Sequence, residues 1–314
     1  MNYIGVDIGG TKCDVVLCND KGEILSKTRF DTNSYEQTFA KICDAIEAVD
    51  AKYDAIGISC GGPLNSKTGM IMSPPNLPDW DNVPITHMLG DKFNVPVFLQ
   101  NDADACALAE WKYGAGKGSE NMIFLTFGTG IGAGLILGGR LYSGTCDCAG
   151  EIGHVRMSDS GPVGFGKEGS FEGYCSGSGI AQLGIARARE LFQSGKKPSY
   201  CESADKLMEI TAKSIADAAN AGNEDAIEIY KRCGTMLGRG LSILIDVLNP
   251  QTIVIGSIFA RCENLLRHEM QKVIDRECVS HSARCVKVVP AGLGESIGDI
   301  AAISVAVNGL SKGM

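Results

Sequence analysis

Short apolar segments alternate with segments of helical period along both halves of the chain. In the first half this pattern predicts strands at 3–7, 13–18, 23–26, 55–59 and 95–99, and helices at 39–49 and 103–111. In the second half it predicts strands at 121–127, 133–137, 252–255 and 286–289, and helices at 223–248, 264–274 and 299–310. Strands that alternate with helices, with a hairpin at the front of each half, predict an α/β fold with a mixed sheet in each domain.

The repeated order of elements predicts two domains. We place the first at 1–118 and the second at 119–298, and expect a helix at about 299–314 to pack back on the first domain. The glycine-rich stretch 138–179 has no clear period, and we expect a functional loop there.

A glycine turn joins the first two predicted strands, in the sequence Asp7–Lys12 (DIGGTK). Because a second strand follows the turn directly, a dinucleotide or P-loop site, which feeds a helix, is not expected. The backbone N–H groups and the Thr11 hydroxyl can approach a phosphate, since glycine has no Cβ to block it. Asp7, at the strand end, suits a hydrated Mg²⁺ ion. The alternative is an ordinary Gly-Gly hairpin turn.

A second strand–turn–strand unit strengthens the phosphate interpretation. Residues 121–127 lead into Gly128–Gly132 (GTGIG) and then into 133–137. Two such hairpins in one chain indicate a duplicated fold, and we expect a nucleotide in a cleft between the halves.

Composition narrows the class of protein. The 314 residues are 44% hydrophobic and 21% charged, which is typical of a globular protein. A formal net charge of −8 without a basic cluster argues against nucleic acid as a partner. No segment reaches the ~20 apolar residues of a membrane span, and no signal peptide is evident, so we expect a cytoplasmic protein. The 13 cysteines are then expected to be reduced thiols, and the spacing of Cys146 and Cys148 is not that of a zinc ribbon.

Two polar clusters are candidates for chemistry. Asn101 and Asp102 directly follow a predicted strand, at the end where α/β folds place ligands. A carboxylate there can accept the proton of an attacking hydroxyl in phosphoryl transfer. The alternatives are that Asp102 only caps the following helix, or that Asp104 is the base. The second cluster contains Glu151, His154 and Glu172, which can hydrogen-bond sugar hydroxyls.

Four motifs together resemble the ROK family of bacterial sugar kinases and sugar-responsive repressors. They are Asp7–Lys12, Asn101–Asp104, Gly128–Gly132 and Gly150–His154, and they occur in the family's order and spacing across nearly the whole chain. The resemblance implies an actin-like (ribonuclease H-like) ATPase fold of two domains. It also implies ATP- and Mg²⁺-dependent phosphorylation of a hexose or N-acetylhexosamine, and a homodimer.

The resemblance assigns roles to individual residues. It implies Asp102 as the catalytic base. The implied sugar-binding residues are Gly62, Asn76, Asn101, Asp102, Glu151, His154 and Glu172. Those implied for ATP and its phosphates are Asp7, Gly9, Gly10, Thr11, Lys12, Gly128, Thr129 and Gly130, with Gly238, Gly256 and Ser257 beside the adenosine.

One departure from the family pattern concerns metal. ROK proteins often bind a structural zinc through three cysteines and the histidine that corresponds to His154. Here the cysteine positions hold Val163, Phe165 and Ser170. One histidine cannot form a tetrahedral site, so we expect no zinc. We expect apolar packing of Val163 and Phe165 to order the loop instead.

These observations predict a glucokinase-like kinase that acts on a sugar hydroxyl, most simply the 6-OH, with the identity of the sugar left open. The first alternative is a sugar sensor that keeps the kinase fold without catalysis. With six residues ahead of the first glycine turn, we expect no DNA-binding domain before it. The second alternative is a nucleotide-dependent activator or hydrolase of the wider actin-like superfamily.

Overall fold

A computed structural model of the protein describes residues 1–312 and shows an α/β fold. Its strands are β1 (Asn2–Ile8), β2 (Lys12–Asn19), β3 (Ile24–Asp31), β4 (Ala55–Cys60), β5 (Leu64–Asn65), β6 (Met70–Ile71), β7 (Val97–Asn101), β8 (Met122–Leu125), β9 (Ala133–Leu137), β10 (Arg140–Leu141), β11 (Val163–Gly164), β12 (Lys167–Glu168), β13 (Thr252–Ile255) and β14 (Lys287–Pro290).

Helices alternate with groups of strands along the chain. They are α1 (Tyr35–Glu47), α2 (Ile85–Phe93), α3 (Asp102–Lys112), α4 (Phe171–Tyr174), α5 (Gly177–Gln193), α6 (Ala212–Asn220), α7 (Glu224–Leu248), α8 (Ile258–Glu277), α9 (Ser280–Cys285) and α10 (Ile297–Lys312). Short 3₁₀ helices cover Ile152–His154, Ala204–Glu209 and Gly294–Ser296. None of the helices within residues 1–312 is both long and apolar enough to cross a membrane.

Two five-stranded sheets have the same strand order. The first is β3-β2-β1-β4-β7 and the second is β10-β9-β8-β13-β14. In the first sheet β1, β2 and β3 are antiparallel, whereas β4 runs parallel to both β1 and β7. In the second, β9 and β10 are antiparallel and β13 and β14 are parallel. The matching orders confirm the prediction of a duplicated fold with mixed sheets.

The chain divides into two compact units. Unit 1 comprises Met1–Phe124, Gly134–Ala149 and the chain from Gly292 onward, and unit 2 comprises Leu125–Ala133 and Gly150–Ala291.

Most predicted elements are present, with shifted ends. The hairpin β1–β2 is confirmed, as is the helix capped by the Asn223 side chain, which accepts a hydrogen bond from the Ala226 amide. The predicted helix at 264–274 was too short: α8 begins at Ile258 and bends at Cys262, whose backbone is not helical. Helices α2, α5 and α6 were missed.

In unit 1, α10 lies directly on β1 and β4, where small residues permit a close approach. A Cβ on Gly57 would overlap the Ala302 carbonyl oxygen and lie 2.5 Å from the Ala306 amide nitrogen. A Cβ on Gly5 would lie 3.0 Å from the Ala302 Cβ. The α10 backbone therefore occupies the space that a side chain at position 5 or 57 would need.

Glu110 fixes the segment that leads into α10. This side chain is fully buried, and its carboxylate oxygens accept hydrogen bonds from the amides of Ala115 (2.8 Å), Gly292 (3.1 Å) and Leu293 (2.9 Å). A buried carboxylate thus finds three backbone donors, and these hydrogen bonds tie α3 to the segment that precedes α10.

Replacing Glu110 by alanine should destabilise the protein strongly. A hydrogen bond to a charged group contributes about 1.5–3 kcal/mol, and three are lost, so we expect the free energy of unfolding to fall by about 3 kcal/mol or more. Glu47→Ala is the control, since Glu47 forms an exposed ion pair with Lys92 and should cost less than about 1 kcal/mol. Denaturant unfolding of both variants measures this. Equal losses would show that Glu110 does not fix the segment.

Candidate functional site

In unit 1, the carboxyl ends of parallel strands β1, β4 and β7 lie at one edge of the sheet. Asp7 pairs in register with Ser59, and Cys60 pairs with Asn101. Asp102 follows as the first residue of α3. The sequence therefore brings two predicted functional carboxylates to the same sheet edge, as expected for ligand sites in α/β folds.

Asp7 has an unusual electrostatic environment. Burial raises its pKa to about 7, against the opposing effect of a hydrogen bond with Ser59. The negative charge of Asp102 raises the pKa further, as do two other carboxylates, Asp14 and Asp299. A group held in this way is half protonated near neutral pH, and a nearby cation would favour its ionised form.

Asp14 lies opposite Asp7 across β1 and β2 but behaves differently. Burial alone would raise its pKa. Hydrogen bonds from Arg29 (2.7 Å to each carboxylate oxygen) and the charge of Lys27 outweigh that effect and lower it. Lys27 also contacts both carboxylate oxygens of Asp299 at 2.7 Å. These two basic residues therefore pair with two of the three carboxylates near Asp7, namely Asp14 and Asp299.

The first glycine turn is closed by its own backbone. The Gly9 amide donates to the Lys12 carbonyl (3.0 Å), and the side chains of Thr11 and Lys12 are exposed. A Cβ on Gly10 would lie 2.8 Å from the Asn76 Cβ. The turn therefore packs against the proline-rich segment 73–78, which contains Asn76. This contact brings Gly10 and Asn76 together, two residues for which the resemblance implied different ligands.

The junction of β7 and α3 distinguishes Asn101 and Asp102 from Asp104. Asn101 is the N-cap, and its side-chain oxygen accepts a hydrogen bond from the Ala103 amide (2.9 Å). Asp102 is exposed, and it also accepts a hydrogen bond from that amide (2.8 Å). Asp104 is buried and accepts a hydrogen bond from the Ser143 hydroxyl (2.8 Å). Of the two aspartates, Asp102 is the one placed to reach a ligand. Gly62 lies nearby, because a Cβ there would be 3.4 Å from the side-chain nitrogen (Nδ2) of Asn101.

In unit 2, the second glycine turn is joined to Glu172. The Glu172 carboxylate accepts a hydrogen bond from the Ile131 amide (3.1 Å), and a Cβ on Gly130 would lie 2.5 Å from the same oxygen. Glu151 is exposed, whereas His154 is half-buried at the end of the 3₁₀ helix. Glu172 and Gly130, assigned to sugar and phosphate respectively, are therefore neighbours.

A cavity of about 780 Å³ opens in unit 2 beside that turn. Its walls include Gly128, Thr129 and Ser257, three residues implied for ATP. The sequence did not reveal the remaining lining residues: Gly177, Ser178, Ala181, Ile210, Thr211, Ala212, Lys213, Ala216, Asp217, Asn220, Tyr230, Ile258, Arg261 and Cys262.

One pattern could have suggested part of this wall. Lys213, Asp217 and Asn220 recur at i, i+4 and i+7, so they share one face of α6. A polar face of this kind is usually a solvated one, and α6 itself was not predicted.

Two glycines implied for the adenosine have other surroundings. Gly238 is buried in α7, where a Cβ would lie 2.6 Å from the Met270 carbonyl oxygen and 2.7 Å from the Val273 Cβ of α8. Gly238 therefore allows two helices to approach closely and is not among the residues that line the cavity, and its place beside the adenosine stays a prediction. The Gly256 amide donates to the Leu125 carbonyl (2.9 Å), and only its neighbour Ser257 reaches the cavity.

Val163 and Phe165 do not order the loop around His154 by burying their side chains. Val163 is 45% exposed and Phe165 is 73% exposed, although the Phe165 ring contacts the His154 ring edge-on at 5.2 Å between centroids. The expectation of apolar packing in place of zinc was therefore wrong. Among residues 1–312, no group of three or more His, Cys, Asp or Glu side chains is arranged to hold a metal.

Comparison with known proteins identifies the family of the chain. The ROK family model matches residues 3–308. The chain belongs to the ROK family.

The relatives include enzymes and repressors. A glucokinase of Thermotoga maritima is 32% identical, and the match covers 97% of each chain. A xylose repressor of Bacillus subtilis is 26% identical over 97% of this chain and 77% of the repressor. Among solved structures, a ROK glucokinase of Streptomyces griseus in complex with glucose and AMPPNP is 28% identical, with a TM-score of 0.76 and coverage of 98% and 99%. The fold is therefore the actin-like ATPase fold of the ROK kinases.

The raised pKa of Asp7 predicts a pH-dependent stability. The carboxyl has a pKa of about 7 when folded and 3.8 as its ordinary value. The native state therefore binds more protons between these values, and the free energy of unfolding falls as pH rises through that window. We expect Asp7→Asn to remove this loss and to be more stable than the wild type at pH 8, by up to about 4 kcal/mol. The difference should vanish below pH 4, as measured by denaturant unfolding.

Asp14→Asn is the matched control on the neighbouring strand. The pKa of Asp14 is lowered, so its contribution to stability is present above its unfolded pKa and is lost as pH falls. This variant should be less stable than the wild type at pH 8. If both variants were destabilised there, the burial of Asp7 would not oppose its ionisation.

Proposed function

We propose that the protein is an ATP-dependent sugar kinase of glucokinase type, which transfers the γ-phosphoryl group to a hexose or N-acetylhexosamine hydroxyl, most readily the 6-OH. The observation that carries this proposal is the exposed Asp102 at the carboxyl end of β7, preceded by Asn101 as the helix N-cap. The 32% identity to a glucokinase over nearly the whole chain supports it.

Asp102 acts as the general base in the proposed reaction. Its carboxylate accepts the proton of the attacking sugar hydroxyl as the new O–P bond forms and the bond to ADP breaks. A position in the first turn of α3 favours the ionised carboxylate, because the helix N-terminus carries partial positive charge. A base of this kind is worth ~10²–10⁴ in rate.

The sugar contacts come from polar side chains near these turns. In unit 1, Asn101, Asn76 and the backbone at Gly62 would contact the sugar. In unit 2, Glu151 and Glu172 accept hydrogen bonds from its hydroxyls, and His154 contributes one more.

The nucleotide is proposed to bind the unit 2 cavity. Apolar side chains such as Ile210 and Ile258 suit contact with a purine ring, and polar side chains on α6, such as Asp217 and Asn220, can hydrogen-bond its edge. The backbone of Gly128–Gly130 lines this cavity at Gly128 and Thr129 and is proposed to approach the phosphates. The family resemblance implies the same role for Gly9–Lys12. Asp7 offers the carboxylate oxygen that Mg²⁺ prefers. When bound with ATP, this ion neutralises charge on the phosphates.

A sugar sensor without catalysis is the second candidate. The observation in its favour is the similarity to xylose repressors, which reaches 26% identity over 97% of this chain. Asp102 and both glycine turns are retained, and a pure sensor needs neither, so we favour the kinase.

A coupled ADP-release assay tests the function. We expect Mg-ATP turnover that depends on one member of a panel of glucose, mannose, fructose, allose, N-acetylglucosamine and N-acetylmannosamine. Asp102→Asn should reduce kcat by ~10²–10⁴ and weaken sugar binding, measured by calorimetry, far less, because the asparagine side chain can still hydrogen-bond the hydroxyl. Asp91→Asn, an exposed aspartate on α2, is the control.

The outcome separates the two candidates. Sugar-dependent turnover that is lost in Asp102→Asn supports the kinase. If no sugar raises turnover but one raises the melting temperature, the protein is a sensor that keeps the kinase fold.

Filling the cavity should weaken ATP binding alone. Ala181 on α5 lines the cavity, and we expect Ala181→Phe to raise the KM for ATP roughly tenfold or more while the KM for sugar changes little. Ala186→Phe is the matched control, because Ala186 is exposed on the same helix. An unchanged ATP KM in a folded Ala181→Phe protein would place the nucleotide elsewhere.

A further inference from the structure

The loop that holds His154 and Glu172 contains all three positions at which the family pattern has zinc-binding cysteines. In this chain each position makes a different direct contact. Ser170 is fully buried as the N-cap of α4, where its hydroxyl oxygen accepts a hydrogen bond from the Gly173 amide (3.0 Å). Phe165 contacts the His154 ring. At Val163 the contact is made by the backbone and not by the side chain.

Gln182 on α5 hydrogen-bonds both backbone groups of Val163. The Val163 amide donates to the Gln182 side-chain oxygen (2.9 Å), and the Gln182 side-chain nitrogen donates to the Val163 carbonyl (2.8 Å). The side-chain amide thus pairs with β11 as a neighbouring strand would. This pair of hydrogen bonds fixes β11 relative to a long helix.

The position of β11 determines where the start of α4 can lie. A Cβ on Gly164 would be 2.7 Å from the Glu172 Cβ and 2.5 Å from the Gly173 amide nitrogen. Because the two backbones are already in contact, a displacement of β11 toward α4 would push Glu172 from its place, and a displacement away would remove the surface on which Glu172 packs.

Lys167 makes the corresponding contact to the other sugar-binding residue. Its ammonium group donates to the His154 carbonyl oxygen at 2.7 Å. Lys167 is in β12, which pairs with β11 through Gly164. The two side chains therefore hold the two ends of the same hairpin, one on α5 and the other on the His154 segment.

We infer that Gln182 and Lys167 are positioning residues for the sugar contacts of Glu172 and His154, and that their hydrogen bonds order this loop where other family members use a metal. This inference rests on the proposed function for its kinetic consequences, but its structural consequence does not depend on catalysis. The loop should accordingly keep its structure and its sugar affinity in the presence of a strong chelator.

The decisive variants are Gln182→Ala and Lys167→Met. We expect each to raise the KM for sugar about tenfold, the effect of losing roughly 1.4 kcal/mol of hydrogen bonding. The KM for ATP should change less than about twofold. Gln193→Ala and Lys196→Met, exposed residues at and just beyond the end of α5, are the matched controls. Gln182→Glu keeps the acceptor but loses the donor, and it should have a smaller effect than alanine.

Hydrogen exchange supplies a readout that does not require turnover. The amides of Val163 and Phe171 donate to Gln182 and Val155 respectively, so exchange in the segment 155–175 should accelerate at least tenfold in Gln182→Ala and not in Gln193→Ala. If the wild type shows no sugar-dependent turnover, the proposed function fails while this exchange result still decides the role of Gln182.

Two results would overturn the inference. One is an amide exchange rate in the segment 155–175 that is the same in Gln182→Ala and in Lys167→Met as in the control variants. The other is one zinc per chain in metal analysis of purified protein, together with faster exchange of 155–175 after treatment with EDTA.

Discussion

Unit 1 depends on the contact of α10 with the backbone of β1 and β4. Gly57 lies where any side chain would overlap the Ala302 carbonyl oxygen, so the helix rests on the strand itself. Packing at backbone distance excludes water from the strands beneath, and it requires the helix to enter along a fixed path. Glu110 fixes the segment that precedes α10, because its carboxylate accepts hydrogen bonds from the amides of Gly292 and Leu293.

The electrostatics of the candidate site follow from the same contact. The first turn of α10 lies over the end of β1, where a Cβ on Gly298 would be 2.9 Å from an Asp7 carboxylate oxygen. This burial is the largest cause of the raised pKa of Asp7. A more solvated carboxylate would be ionised without a ligand. The helix that stabilises the sheet thus also holds Asp7 in a state that a bound cation would change.

Sequence periodicity predicted both hairpins and the long helix α7 because those segments bury regular apolar patterns. It missed α5, where alanine and glycine carry little periodic signal, and α6, whose buried face extends over only nine residues and consists mostly of alanine. The sites divide similarly. Asp102 could be proposed because it directly follows a strand, whereas the packing role of Gly238 could not, because it depends on the distant residues Met270 and Val273. Most of the cavity wall was missed, because residues far apart in the chain form it.

The loop of unit 2 shows how one structural requirement can be met by different chemistry. A tetrahedral zinc fixes four side chains through strong bonds, and it needs every ligand. Here Gln182 and Ser170 fix backbone groups through hydrogen bonds that are individually weak, each worth about 1 kcal/mol. Several such contacts converge on one hairpin, and glycine at position 164 lets that hairpin lie against Glu172. Exposure of Val163 and Phe165 is then compatible with an ordered loop, because hydrogen bonds to its backbone, together with the buried Phe171 side chain, fix the segment that holds Glu172.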